Sequence, residues 1–354
     1  MFTSDHFSSN HVAIKDTNYL FFSGTSYLGM NHNAAFRNHI VEGMERYGSS
    51  YGSSRSSNFR LQVYDEAEEY LAMFTGAPAA LTLSSGYMAG QLVINAFRNS
   101  LFFIYAPDTH PAVCRTPEDF YTGDFSSWSE SITKQVEQAK KKDIAIVCNA
   151  VDPLRCNVMD FDWVKSLPSG KTITLIVDDS HGLGVTGENG SGIYKKIVKP
   201  DHIKLIVVSS LAKAMGIPGG VVLCDANTKS FLQQTAAYSS ASPAAPASLY
   251  AFLKSIDIFS EARQKLQENI KHFKQLLQQP GLFTSLPAYP VFYTPENRLP
   301  LFLAEKKILI SSFAYPKTDG KIISRIILNS NHTPEDISTL TDAICAFACG
   351  LNGQ

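Results

Sequence analysis

Apolar runs without alternation recur through the middle of the chain: AALTL (79–83), SLFFIYAP (100–107), DIAIVCNA (143–150), TITLIVDD (172–179), IKLIVVSS (203–210) and GGVVLCD (219–225). Strands covered on both faces read this way, because a solvent-facing side would place a polar residue at every second position. Helical periodicity fills the gaps. In RLQVYDEAEEYLAMFTG (60–76), Leu61, Tyr64, Ala67, Leu71 and Phe74 recur at helical spacing, and Gly76 stops the helix. SSGYMAGQLVINAF (84–97) opens a second helix from a turn of small residues. Strands alternating with helices predict an α/β domain whose mainly parallel sheet is flanked by helices.

From about residue 242 the pattern changes. A long, mostly helical stretch is followed by the short strands PVFYT, KILISSFAYP and KIISRIILNS, and by a last helix at HTPEDISTLTDAICAFA. Thr333 suits the N-cap there, Pro334 the first helical position, and Glu335 and Asp336 the positive end of the helix dipole. These elements predict a second, smaller α+β domain.

Composition narrows the function. The 354 residues are 44% hydrophobic and carry a formal net charge of −1, so nothing electrostatic points to nucleic acid. The six cysteines form no CxxC pair, no metal site is expected, and Cys345 and Cys349 are expected to pack in the core. The polar N-terminus is not expected to be a signal peptide, and no apolar run reaches the ~20 residues of a membrane span. A cytoplasmic protein is expected.

Three loops at the C-terminal ends of strands could carry chemistry, since open α/β sheets bind ligands there. SSGYMAG places Ser85, Gly86 and Tyr87 at a helix N-terminus that would suit a phosphate, or is an ordinary cap. In LIVDDSHGLGVTGENGSG, Asp178 leaves a core strand and His181 follows; the acid either faces a ligand or caps the loop. Lys213, in SSLAKAMGIPGG, either snorkels to water or is held neutral enough to react. A phosphate cradle, an acid at one strand end and a lysine after a later one are together what pyridoxal phosphate needs: a Schiff-base amine, a carboxylate at the pyridine nitrogen and a helix N-terminus.

The ordered motifs resemble the α-oxoamine synthase family of fold-type I pyridoxal-phosphate enzymes. TSYLG is similar to the family's NYLG, and YGSSYGSSR to YGxGxxGSR. LTLSSGYMAG resembles the FSSGYxAN phosphate loop and VDDSHGLGVTGENGSG resembles DEAHSxGxxGxxGRG. SSLAKAMGIPGG is similar to TLSKAFGxxGG, and ISRIILNSNHTPEDI to RIxxxxxHTxEDI. The resemblance runs nearly the whole chain. It implies the aspartate aminotransferase-like fold, with an N-terminal segment at 1–40 packing with the small domain, a large cofactor-binding domain at 41–240 and a small C-terminal domain at 241–354.

It also implies roles. Lys213 matches the Schiff-base lysine, Asp178 the acid at the pyridine nitrogen, and His181 the histidine near the ring's phenolic oxygen. His110, in APDTHPAV, matches the histidine that stacks on the ring. Ser85, Gly86, Tyr87 and Ser210 match phosphate ligands, and Ser239 or Ser240 a hydroxyl reaching the phosphate of the neighbouring subunit. Arg325 matches the arginine that holds the amino-acid carboxylate. Ser26 stands where the family has the asparagine of NYLG and is expected at the substrate. Other departures are Tyr64 where a histidine is usual, Asp179 and Ser180 in place of Glu-Ala, and an SMDGD segment reduced to Met159 and Asp160. The implied activity is condensation of a small amino acid with an acyl-CoA or other acyl thioester to an α-amino ketone, by a homodimer with its site at the subunit interface. An aminotransferase or amino-acid lyase on the same fold, or a non-catalytic relative, is the alternative.

Overall fold

The computed structural model describes residues 3–4, 7–315 and 320–352. The chain divides into two compact units: Ala34–Val151 with Met159–Ile256, and Met1–Asn33 with Asp152–Val158 and Asp257–Gln354.

The larger unit is built on a six-stranded sheet in the order Ala79–Leu83, Gly220–Cys224, Ile203–Ser210, Thr172–Asp178, Asp143–Asn149 and Phe102–Tyr105. The last four strands run parallel, and Gly220–Cys224 is antiparallel to both its neighbours. The apolar runs are buried throughout: Ile146, Val147, Leu175, Ile176, Ile206 and Val207 have 0% exposure, as strands covered on both faces require. Tyr105, Asn149, Asp178 and Ser210 end the four parallel strands at one edge of the sheet.

Helix Gln62–Thr75 stops at Gly76, whose φ of 72° is the left-handed conformation a C-terminal glycine supplies. Its Glu68 is buried yet fully engaged. Arg55 and the backbone and hydroxyl of Thr82 donate to Oε1, and Lys229 donates to Oε2 at 2.7 Å.

The division between the units differs from the expected boundaries at 40 and 240. Helix Ala34–Tyr47 and helix Pro246–Lys254 both belong to the larger unit, where they pack on each other. Their contact is close: a Cβ on Gly43 would lie 2.6 Å from the Ala247 carbonyl oxygen.

The smaller unit holds a seven-stranded sheet. A meander of Phe7–Ser8, His11–Ile14 and Thr17–Phe22 is followed in the sheet by Ile308–Ala314, Ile322–Ile327, Val291–Thr294 and Thr284–Ser285. The seam between the two chain ends is parallel, with Leu20 opposite Ile308 and Phe22 opposite Ile310. His332 secures it. Its Nδ1 accepts from Asn329 N, its Nε2 meets the Phe21 carbonyl at 3.0 Å, and its ring stacks on Phe22 at 4.1 Å. Helix Pro334–Asn352 begins as its sequence predicts, with Thr333 and Asp336 exchanging side chain-to-backbone bonds at 3.2 and 2.9 Å. Cys345 and Cys349 are not core residues: Ile344, Phe347 and Ala348 take the buried face, Cys345 is part-buried and Cys349 exposed. No helix of the described residues is long and apolar enough to cross a membrane.

Candidate active site

The strand-end edge of the larger unit gathers most of the residues expected to act. Asp178 closes its strand with 8% exposure. Its Oδ1 accepts the Ser180 N–H at 2.9 Å, and its Oδ2 lies 3.7 Å from His110 Nδ1. The carboxylate is therefore braced from its own turn on one oxygen and faces an imidazole with the other. His110 Nδ1 accepts from Ala112 N at 3.2 Å, so the ring carries its proton on Nε2 in the neutral form. Burial lowers the His110 pKa against the pull of Asp178, and Lys213 lowers it further. His181 sits part-buried in the turn that follows Asp178.

Lys213 lies in the turn after Ile203–Ser210 and is part-buried. Burial pushes its ammonium below the ordinary lysine range, with the Asp178 carboxylate opposing. That is the balance a reactive lysine needs: enough desolvation to release a proton, and a counter-charge close enough to keep the site stable.

Opposite these groups helix Gly86–Phe97 begins. Ser85 caps it, its hydroxyl accepting from Met88 N at 3.1 Å. Gly86 and Tyr87 supply first-turn N–H groups that no helical carbonyl can reach. The helix start is pressed onto the neighbouring strand ends. A Cβ on Gly86 would lie 2.6 Å from Ser210 Cβ, and one on Gly220 would lie 2.2 Å from the Ser85 carbonyl oxygen. Only glycine permits this approach, which sets the free N–H groups beside Ser210. Such a cradle at a helix N-terminus fits a phosphate. With an acid and a softened lysine at the same sheet edge, these residues fit pyridoxal phosphate as a whole.

Two further residues position this edge. Asn149, one strand over from Asp178, clips the loop that bears His110: Oδ1 accepts His110 N at 3.0 Å and Nδ2 donates to the Asp108 carbonyl at 2.7 Å. Ser180 joins two strand ends, since its N–H braces Asp178 while its Oγ accepts Ser210 N at 2.9 Å. The place of Asn149 at a parallel-strand end is the one trace of its role in the sequence, and Ser180 shows itself only as a departure inside the motif after Asp178. Next to them Asp179 is 2% exposed, with Oδ2 accepting Ile193 N at 2.7 Å and Oδ1 buried without a partner among the described residues.

Ser239 and Ser240 end the one-turn helix Ala236–Ser240. Ser240 is exposed beside a cleft of about 350 Å³ shared with Ser50–Ser54, and Ser54 donates to the Ser239 carbonyl at 2.7 Å. Arg325 and Ser26 belong to the smaller unit. Arg325 is 6% exposed on strand Ile322–Ile327, with its Nε buried and unpartnered among the described residues. Ser26 donates to Asn31 Oδ1 at 2.6 Å.

The sequence matches the family Aminotransferase class I and II over residues 22–344. It is 30% identical to the 8-amino-7-oxononanoate synthase of Photorhabdus laumondii, covering 86% of this chain and 83% of that one. It is 27% identical to the 8-amino-7-oxononanoate synthase of Nitrosomonas europaea, covering 95% and 91%. The fold is similar to serine palmitoyltransferase from S. paucimobilis, with a TM-score of 0.83 at 18% identity over 100% of this chain and 94% of that one. It is also similar to 8-amino-7-oxononanoate synthase from Francisella tularensis, with a TM-score of 0.73 at 25% identity over 94% and 99%. Fold, ordered motifs and strand-end chemistry agree: the chain belongs to the class I and II aminotransferase family, in its pyridoxal-phosphate-dependent α-oxoamine synthase branch.

Proposed function

We propose that the protein is a C-acyltransferase of the 8-amino-7-oxononanoate synthase type, joining a small amino acid to an acyl-CoA or related acyl thioester. The observation that carries this reading is the meeting of Asp178, His110 and Lys213 at the edge where the Gly86 helix begins. Pyridoxal phosphate, when bound, supplies an electron sink for the amino acid's α-carbon. The Gly86 and Tyr87 N–H groups, with Ser85 and Ser210, would hold its phosphate. Asp178 would keep a proton on its ring nitrogen, and His110 and His181 would contact the ring.

Arg325 takes the substrate carboxylate, since its planar fork matches two oxygens, and Ser26 contributes to the same substrate. Lys213 Nζ removes the α-proton, which its lowered pKa allows. The α-carbon then attacks the thioester carbonyl, the thiol leaves, and loss of CO2 followed by reprotonation gives an α-amino ketone. The reading also places the enzyme in the cytoplasm as a homodimer. Ser240, exposed beside the hydroxyl-lined cleft, then reaches the partner's phosphate. Dilution below the dimer's dissociation constant should accordingly release cofactor, followed by sedimentation with absorbance detection.

Thiol release from a panel of acyl-CoAs with glycine, L-alanine and L-serine, with product masses, tests the reaction. An α-amino ketone and free CoA in equal amounts support it. Amino-group exchange without thiol release makes the protein an aminotransferase instead.

A further inference from the structure

The Arg325 side chain makes a single hydrogen bond among the described residues, from Nη1 to the Pro153 carbonyl. Its Nε–H is buried and meets no acceptor. With Nη1 engaged, the edge formed by Nε and Nη2 is left for the two oxygens of a carboxylate, the side-on geometry that a guanidinium fork suits. The Pro153 carbonyl thus decides which way the fork faces.

That carbonyl is held by an unusual loop. Asp152 is 7% exposed and spends its whole carboxylate on the segment that follows it. Oδ1 accepts Leu154 N at 2.9 Å and Arg155 N at 3.1 Å, while Oδ2 accepts Asn157 N at 3.2 Å and Asn157 Nδ2 at 2.8 Å. The loop is fastened to the sheet beside Arg325. Buried Cys156, at a φ of 59°, directs Sγ to the Val291 carbonyl at 3.4 Å, and strand Val291–Thr294 places Tyr293 directly opposite Arg325. Segment Asp152–Val158 accordingly belongs to the smaller unit, whereas the chain on either side of it belongs to the larger. Nothing in the chain's order of strands requires that exchange, and a loop that serves Arg325 accounts for it.

We infer that Asp152 is a positioning residue for substrate binding: it folds the loop whose Pro153 carbonyl aims the Nε–Nη2 edge of Arg325 at the amino-acid carboxylate. This rests on Arg325 being the carboxylate anchor. Each part fails separately in one experiment. The holoenzyme is titrated with L-alanine against ethylamine and with L-serine against ethanolamine, following the cofactor's absorbance. Each pair differs by the carboxylate alone.

Asp152→Asn keeps the side chain's shape but leaves one oxygen to accept. It should weaken amino-acid binding by roughly 10- to 100-fold, the scale of a sub-ångström to ångström misplacement of a binding group, and leave amine binding unchanged. Asn157→Ala, at an exposed side chain that gives one of the four bonds, should do the same more weakly. It decides the matter if Asp152→Asn does not fold. Equal loss of acid and amine in these variants, or an unaltered preference for the acid, overturns the inference. Arg325→Ala is the reference. If it retains the acid preference, the anchor assignment falls; if it abolishes the preference while the Asp152 and Asn157 variants keep it, the positioning role alone falls.

Discussion

Asp179 should make the protein lose stability as pH rises through neutrality. Its carboxyl is buried between backbone segments: a Cβ on Gly182 would lie 2.0 Å from its Oδ1, and one on Gly192 would lie 2.2 Å from its Oδ2. Burial raises its pKa from 3.8 to about 7, the Ile193 N–H opposing and Asp178 adding repulsion. The folded state therefore holds a proton between pH 4 and 7 that the unfolded chain has released. Stability is highest below that window and falls across it as pH rises. At 1.36 kcal/mol for each pKa step, the loss from this one group reaches about 4 kcal/mol by pH 7 and above.

Asp179→Asn keeps an oxygen for the Ile193 N–H and removes the ionisation. The variant should lie within about 1 kcal/mol of the unaltered protein near pH 4.5 and exceed it by about 4 kcal/mol at pH 8. Urea denaturation of both proteins at a series of pH values reads the difference directly. Groups elsewhere titrate equally in both and cancel. A stability difference that does not change between pH 4.5 and 8 would refute the reasoning, because the folded carboxyl would then be ionised throughout, as it is in the unfolded chain.

Other outcomes follow from the same geometry. Borohydride treatment of the holoenzyme should fix the cofactor to Lys213, and a peptide map with the label on another lysine would remove it from its role. Gly86→Ala places a methyl 2.6 Å from Ser210 Cβ and 2.7 Å from Ser210 Cα; separating the helix start from the strand end should weaken cofactor binding at least tenfold by absorbance titration, of the order of 1.4 kcal/mol. Glu68→Gln strips the charge that Arg55 and Lys229 share in the core, and removing one partner of a buried ion pair costs about 3–5 kcal/mol; a change under 1 kcal/mol in chemical denaturation would show the cluster to be hydrated.

Much of the larger unit could be read from the chain because its signals are local. Strand Thr172–Asp178 announces itself by seven residues with no polar alternation strong enough to suggest solvent, and helix Gln62–Thr75 by its apolar spacing and Gly76. The strands of residues 7–22 were illegible for the opposite reason. They are short, show no sustained alternation of polar and apolar residues, and gain their order from pairing with one another and, through Thr17–Phe22, with the distant Ile308–Ala314. The same distinction holds at the site. Lys213, Asp178 and Gly86 stand in recognisable surroundings, whereas Asn149 and Ser180 hold backbone groups that folding brings near, those of His110 and Ser210. An asparagine ending a strand has many uses, and only the loop across from it shows which one applies.

The parallel seam between Thr17–Phe22 and Ile308–Ala314 has a consequence for how the chain is made. Synthesis delivers one side of the seam before the larger unit and the other after it. That unit can condense during translation from neighbouring strands and helices, but the smaller one has to wait, and loop closure over so long a separation is slow. Until it closes, Ile308–Ala314 presents a bare strand edge, which invites pairing with other chains. Removing residues 1–33 would make that transient hazard permanent. The shortened chain should therefore form its larger unit and yet accumulate as aggregates whose cross-pairing begins at Ile308–Ala314.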